Sequence, residues 1–166
     1  MQHIDDLRRI ATEHGPAPEA GSPAEADALA RFRLFFADFS PDKVERLLDA
    51  TYAEHLYFDD TLKQIHDREV LRHYLRDSAT AVEACRVEIL QITPDGQGNH
   101  YVRWRMCIRF RRFARGRDTW SIGVSHIRFD AQGRVVFHQD YWNAAVGLFQ
   151  HVPVLGWMIR AIQRRL

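Results

Sequence analysis

The stretch FDAQGRVVFHQDYWN, residues 129–143, decides the fold. Its DAQG segment has the composition of a tight turn, because aspartate and glycine tolerate the backbone angles that turns require. Apolar and aromatic residues flank this turn, which predicts a hairpin whose second strand spans residues 134–142. Side chains alternate between the two faces of a strand, so His138, Asp140 and Trp142 are expected on one face.

The residues before this hairpin continue the strand pattern. Three strand-like runs, separated by turn residues, lie at residues 86–93, 100–113 and 119–129. Runs joined by short turns are typical of an antiparallel meander. The sequence therefore predicts a sheet built from residues 83–142, with a further short extended piece at 54–59.

The N-terminal half has a helical pattern instead. Apolar residues recur at three- and four-residue steps, and Ser40-Pro41 and Asp67 suit helix starts, which predicts helices over roughly 24–39, 41–50 and 67–79. Helices followed by strands indicate an α+β fold. Because long strands twist, we expect a cone in which N-terminal helices cover a curved antiparallel sheet, with a pocket at its wide end.

Composition narrows the function classes. The 166 residues suit one domain, and 23 basic against 22 acidic side chains give a net charge of +1, so no nucleic acid is expected as a partner. Neither a long apolar run nor a secretory leader pattern is found, and the two cysteines do not form a disulfide framework. The expected location is the cytoplasm.

The chain is predicted to have three parts. Residues 1–23 are rich in glycine and proline and are interpreted as an N-terminal tail or linker, in which the pattern is compatible with a short helix over 4–13. Residues 24–152 form the cone. Residues 153–166 are apolar and then basic, which predicts an amphipathic helical segment.

Three segments resemble the nuclear transport factor 2-like superfamily, in particular its SnoaL-like branch, over residues 25–150. They are the opening helix with the YFDD element at 57–60, the helix DREVLRHY at 67–74, and the hairpin at 129–143. The resemblance implies the cone fold and a homodimer formed through the outer face of the sheet. The family includes polyketide cyclases, ketosteroid isomerase, limonene epoxide hydrolase and dehydratases, together with binding domains that catalyse nothing.

Three residues are candidates for acid–base catalysis: Asp140, His138 and His126. Asp140 lies among aromatic residues, where a carboxyl group can act as general acid or base. An imidazole two residues away can shuttle protons, and His126 lies on the neighbouring strand. The alternative is that Asp140 is a structural hydrogen-bond acceptor and that both histidines are hydrogen-bonded core residues.

Five residues are predicted to bind a ligand: Tyr57, Asp59, Tyr74, Trp104 and Trp142. The first two share a strand face and are loosely similar to the residues that hold water in the epoxide hydrolase, although Asp59, or Asp60 beside it, alternatively caps the turn before Leu62. The small residues Ser121, Gly123 and Ser125 lie on a neighbouring strand and cannot fill the space that these aromatic side chains surround.

Two mechanisms of the family are not expected. The epoxide hydrolase needs a carboxylate on the central strand, and no acidic residue occurs between His100 and Arg117. Ketosteroid isomerase needs a tyrosine on the first helix, which here carries phenylalanines only. The nine histidines show no spacing typical of a metal site, so neither a metal nor another cofactor is expected.

The central strand has one cationic face, because four of its odd-numbered positions are arginine: Arg103, Arg105, Arg109 and Arg111. This face is interpreted as paired with acids such as Glu88, with an anionic partner as the alternative. The segment 153–166 is expected to dock over the cone mouth or onto a partner subunit. Peripheral contact with an anionic membrane is its alternative.

Three functions remain open from sequence. The first is a protein that binds a small apolar or aromatic molecule in a pocket. The second is a cyclase, isomerase or dehydratase that uses Asp140 and a histidine as acid and base. The third is a non-catalytic module that binds an anionic surface or partner.

Overall fold

The computed structural model describes residues 2–112 and 116–144. These residues form four helices and six strands: α1 (Gln2–His14), α2 (Pro23–Ala37), α3 (Pro41–Thr51), β1 (Tyr52–Asp59), β2 (Gln64–Asp67), α4 (Arg68–Ala81), β3 (Val82–Pro94), β4 (Asn99–Phe110), β5 (Asp118–Phe129) and β6 (Val135–Trp142). None of the helices in this part of the chain is long and apolar enough to cross a membrane.

Side-chain caps start the helices that cover the sheet. The Ser22 hydroxyl accepts the Glu25 amide before α2, and the Ser40 hydroxyl accepts the Lys43 amide before α3. A proline follows each serine at the first helical position, where its missing N–H costs nothing. The Asp67 carboxylate caps α4 in the same way. All three helices begin within one residue of their predicted starts and end within two residues of their predicted ends.

The six strands form one sheet in the order β2-β1-β6-β5-β4-β3. The prediction of an antiparallel sheet is correct for four of the five strand pairs, but β1 and β6 are parallel. One helix and four strands separate β1 from β6 along the chain, so the chain has room to return in the same direction. The sheet also extends beyond residues 83–142, because β1 and β2 belong to it.

The sheet is curved and does not close into a barrel. Register shifts occur between β3 and β4 at Ile89 and Gln91, and between β5 and β6 at Arg128 and Phe129. Such irregularities bend strands and strengthen their twist. Helices α2, α3 and α4 pack on the concave face, where Phe35, Leu48 and Leu71 are completely buried. The cone shape predicted from sequence is confirmed.

Helix α1 covers part of the opposite face. Ile10 is 2% exposed and packs with Ala53 and Tyr57 of β1 and with Val136 and Phe137 of β6. The predicted division of the chain at residue 23 stays a prediction, but the helix within that segment is part of the folded core. The predicted segment 153–166 lies outside the described residues.

The arginine face of β4 is paired with neighbouring strands. Arg105 forms an ion pair with Glu88 of β3, at 2.5 Å, and Arg109 with Asp118 of β5, at 2.8 Å. Arg111 donates to the Thr80 carbonyl oxygen. Cross-strand pairing therefore neutralises part of this face.

Candidate functional site

A cavity of about 350 Å³ opens between the helices and the concave face of the sheet. Helices α2 and α4 form one wall and strands β3 to β6 form the other. Aromatic and aliphatic side chains make up most of the lining: Phe32, Phe36, Phe39, Phe58, Leu62, Leu75, Val82, Val87, Ile89, Met106, Ile108 and Phe110. The volume lies within the range of small-molecule sites.

One polar cluster interrupts this apolar lining. Asp140 of β6 lies directly opposite Ser125 of β5 in the strand register, so both side chains point into the cavity. The Ser125 hydroxyl donates to Asp140 Oδ1 over 2.5 Å, and His138 Nε2 lies 2.9 Å from the same oxygen. The alternation predicted for β6 places His138, Asp140 and Trp142 in the cavity lining together.

A buried tyrosine holds the other nitrogen of the His138 ring. The Tyr52 hydroxyl lies 2.7 Å from His138 Nδ1, and the Tyr52 ring stacks on the imidazole. Burial, and secondarily the charge of Asp140, raise the pKa of Tyr52 well above its ordinary value, so Tyr52 keeps its proton and can share it in a hydrogen bond with Nδ1. Nε2 bears a hydrogen when it donates to Asp140, since a carboxylate oxygen can only accept.

The hydrogen bonds to Asp140 converge on one of its two carboxylate oxygens. Within residues 2–112 and 116–144, the hydrogen bonds to this carboxylate end on Oδ1. Only 16% of the side chain is exposed, and it lines the cavity. Oδ2 is therefore available to accept a hydrogen bond or a proton from a molecule in the cavity.

Two tryptophans frame this carboxylate. Trp104 Nε1 donates to the Ser125 hydroxyl oxygen over 2.8 Å, and Trp142 Nε1 donates to the Asp60 carbonyl oxygen over 2.8 Å. Because both indole N–H groups have partners within the protein, the ring faces rather than the N–H groups are what the cavity offers. The chain Tyr52–His138–Asp140–Ser125–Trp104 is a continuous buried network.

Tyr74 lies at the rim of the cavity and donates to Asp60 Oδ2 over 2.5 Å. Burial and this hydrogen bond raise the pKa of Tyr74, so the hydroxyl stays protonated. The other oxygen of Asp60 accepts the amides of Leu62 and Lys63. Asp60 therefore caps the turn, as the alternative interpretation held, and also lines the cavity.

Three predicted site residues lie on the opposite face of the sheet. Tyr57 stacks on Phe137 at 4.8 Å and donates to Gln139, while His126 lies 5.0 Å from the same phenylalanine ring. Asp59 accepts the amide of Thr61. None of the three is among the cavity residues of the described ranges. The reason is register: His126 pairs with Gln139, which points away from Asp140.

The structure adds Tyr52, Ser125 and Asp60 to the residues named from sequence. From the sequence, Ser125 was expected only as a small residue. Strand alternation puts Ser125 and His126 on opposite faces of β5, so the one that faces the cavity is Ser125. Cys85 also lines the cavity, where burial raises the pKa of its thiol to about 12. Such a thiol is not a nucleophile at neutral pH. No group of three or more potential metal ligands occurs within the described part of the chain.

Comparison with known families agrees with this geometry. Residues 29–138, more than half of the chain, match the family model of the SnoaL-like domain. The chain belongs to the SnoaL-like domain family. A comparison with curated protein sequences finds no match.

Solved structures similar to this SnoaL-like domain show the same fold. The LEH-like epoxide hydrolase of Mycobacterium tuberculosis aligns with a TM-score of 0.63 at 15% identity, covering 86% of this chain and 96% of that one. A Catenulispora acidiphila protein with a ketosteroid isomerase-like fold aligns at 0.64 and 13%, covering 79% and 96%. A candidate polyketide cyclase from Xanthomonas campestris aligns at 0.55 and 13%, covering 72% and 93%.

Proposed function

We propose that this SnoaL-like domain binds a small apolar or aromatic molecule whose polar end contacts Asp140. The observation that carries the proposal is the open oxygen of Asp140 inside an otherwise apolar cavity. One fixed polar group among apolar side chains orients a ligand, because the ligand must satisfy that group when it displaces water. The tryptophan rings and the phenylalanines of α2 supply the apolar contact area.

Blocking the cavity tests this proposal. Ser78 lines the cavity on α4, and its exposed neighbour Asp77 does not line it. The neutral probe 3-phenylpropan-1-ol should bind the wild type in calorimetry, and Ser78→Phe should weaken its binding at least tenfold. Asp77→Phe introduces the same side chain outside the cavity and should change the affinity by less than twofold. Unchanged binding by Ser78→Phe would place the probe outside the cavity and contradict the proposal.

A second candidate is an enzyme of the cyclase, isomerase or dehydratase type. The chain of hydrogen bonds from Tyr52 through His138 to Asp140 favours it, because it holds a carboxylate base in one orientation. In this role Oδ2 takes a proton from a carbon next to a carbonyl group. The C–H electron pair then forms the enolate double bond, and the carbonyl oxygen takes the negative charge.

Exchange of hydrogen for deuterium tests the enzyme candidate. With 2-tetralone in heavy water, the wild type should accelerate exchange at the carbon next to the carbonyl, and Asp140→Asn should reduce the acceleration to the rate of buffer alone. Asp27→Asn removes an exposed carboxylate on α2 and serves as the control. Equal rates for the wild type and Asp140→Asn would contradict a role as base.

A further inference from the structure

Among the described residues, the aspartate, glutamate, arginine and lysine side chains that line the cavity are all carboxylates. Two carboxylates, Asp60 and Asp140, belong to the lining, and no arginine or lysine does so among the residues that the structure describes. The imidazole of His138 is hydrogen-bonded within the protein at both nitrogens, to Tyr52 at Nδ1 and to Asp140 at Nε2. The cavity is therefore a region of negative potential with apolar walls.

The two carboxylates differ in how they are satisfied. Asp60 accepts two backbone amides at one oxygen and the Tyr74 hydroxyl at the other. Asp140 receives its donors at Oδ1, so its charge is less compensated than that of Asp60. No arginine or lysine in the described ranges forms an ion pair with Asp140, whose partners there are the imidazole of His138 and the hydroxyl of Ser125.

Aromatic faces surround the space next to Asp140. Phe32 and Phe36 of α2 lie on one side, Phe58 of β1 and Tyr74 of α4 on another, and Trp104 and Trp142 on the strand side. The two indole rings are 6.5 Å apart at 53° to each other. The negative face of an aromatic ring attracts a cation, and tryptophan does so most strongly.

We propose that the polar end of the ligand is an ammonium group, so that the cavity selects amines with an apolar or aromatic body. This inference rests on the proposed binding function and names its ligand class. A hydroxyl group would donate to Oδ2 but leave the charge of Asp140 uncompensated in an apolar space. An ammonium group donates to the same oxygen and also neutralises the charge. The other N–H groups of the ammonium ion face aromatic rings, which attract a cation, instead of aliphatic side chains.

A matched pair of probes separates the effect of the ligand's charge on affinity from the effect of its shape. 3-Phenylpropylamine, which is protonated at pH 7.5, and 3-phenylpropan-1-ol have the same length and the same ring. Calorimetry should show the amine binding at least tenfold more tightly than the alcohol. Equal affinities, or tighter binding of the alcohol, would overturn the inference while leaving the binding function intact. Failure of both probes would reject the binding function and the inference together.

Two variants at one position assign the preference to Asp140. Asp140→Asn keeps an oxygen that can accept from Ser125 and His138, but turns an amide donor toward the ligand. It should lower amine affinity at least tenfold and change alcohol affinity by less than threefold. Asp140→Glu keeps the charge and should retain the preference for the amine. Asp27→Asn, on the exposed face of α2, is the control and should change neither affinity. Undiminished amine binding by Asp140→Asn would also overturn the inference.

Discussion

At the scale of single residues, Gly123 determines where Trp104 lies. A Cβ atom built on Gly123 would lie 2.9 Å from Trp104 Cε2 and closer still to two other ring atoms. The register pairs the two residues directly, so the indole ring lies flat over the glycine. This close approach aims the indole N–H at Ser125, which in turn holds Asp140.

Gly123→Ala should therefore damage the site through Trp104. The added methyl group displaces the ring, breaks its hydrogen bond to Ser125, and should lower the free energy of unfolding by about 1–3 kcal/mol. Leu34→Ala on α2, where the side chain is 54% exposed, should cost less than about 0.5 kcal/mol. Urea denaturation measures both. A stable Gly123→Ala protein with unchanged ligand affinity would show that Trp104 has room to move.

Glu25 makes stability depend on pH. It accepts the Gly21 amide over 2.7 Å and lies 2.7 Å from His100 Nε2, and these contacts, the amide first, lower its pKa from the ordinary 4.5. Below pH 4.5 the unfolded chain binds a proton at this carboxyl group before the folded protein does. The stabilisation by Glu25 is thus complete above pH 4.5 and is lost as the pH falls through the lowered value.

Glu25→Gln should be less stable than the wild type at pH 7, and the difference should shrink as the pH falls below 4.5. Urea denaturation of both proteins between pH 3 and pH 7 measures it. Glu19→Gln removes an exposed carboxylate nearby and should show no such trend. A constant difference across the range would mean that the charge of Glu25 contributes nothing.

At the scale of elements, the sequence predicts the side-chain alternation within each strand better than it predicts which alternate residues face the cavity. The alternation of β6 is visible in its residues, so His138, Asp140 and Trp142 were placed together. Whether the odd or the even residues of β5 share their face depends on which residue of β5 pairs with Asp140. That residue is Ser125, and the pairing follows from bends and bulges that no single strand encodes. The position predicted for His126 was wrong for this reason, and those of Tyr57 and Asp59 were wrong because the register of β1 on β6 is likewise not encoded in either strand alone.

The parallel pairing of β1 with β6 was not predicted from the sequence, for a related reason. Residues 54–59 have the composition of a strand, but their pairing partners lie 80 residues away along the chain. No local sequence pattern identifies those partners. Caps, by contrast, act within three residues, so Ser40 and Asp67 predicted their helices closely. Local interactions could be predicted from the sequence, whereas the choice of neighbours in the sheet could not.

Helix α1 offers a test at this scale. Ile10→Ala empties a site between α1, β1 and β6 and should lower the free energy of unfolding by about 2–5 kcal/mol. Ile4→Ala makes the same change at a position that is 39% exposed on the same helix, and should cost less than about 0.5 kcal/mol. Equal effects of the two variants in urea denaturation would mean that α1 is not packed on the sheet in solution.

At the scale of the whole molecule, the outer face of the sheet exposes apolar side chains. Trp120 and Ile122 of β5 and Tyr141 of β6 are about half exposed, and Tyr101 of β4 lies on the same face. Arg105 lies over the Trp120 ring at 5.5 Å. A cluster of this kind is typical of an interaction surface, and a second copy of the chain is the partner that we propose for it.

Sedimentation equilibrium at on the order of tens of micromolar should therefore show a homodimer. Ile122→Arg should convert it to a monomer, because the new cation pairs in register with Arg105 and adds like charge to the interface. Leu34→Arg, on the exposed side of α2, should leave the dimer intact. A monomeric wild type would contradict the proposal.

The position of β6 in the sheet has a consequence for how the protein is made. β6 is the last strand along the described chain, yet it lies between β1 and β5 and joins two otherwise separate groups of strands. During synthesis, two groups of strands are made before β6: β1 with β2, and β3 with β4 and β5. Each group keeps an unpaired edge until residues 135–142 leave the ribosome. The same strand carries His138 and Asp140. A nascent chain thus completes its sheet and its binding site in one step, and a translation product that ends before residue 135 lacks both the joining strand and Asp140.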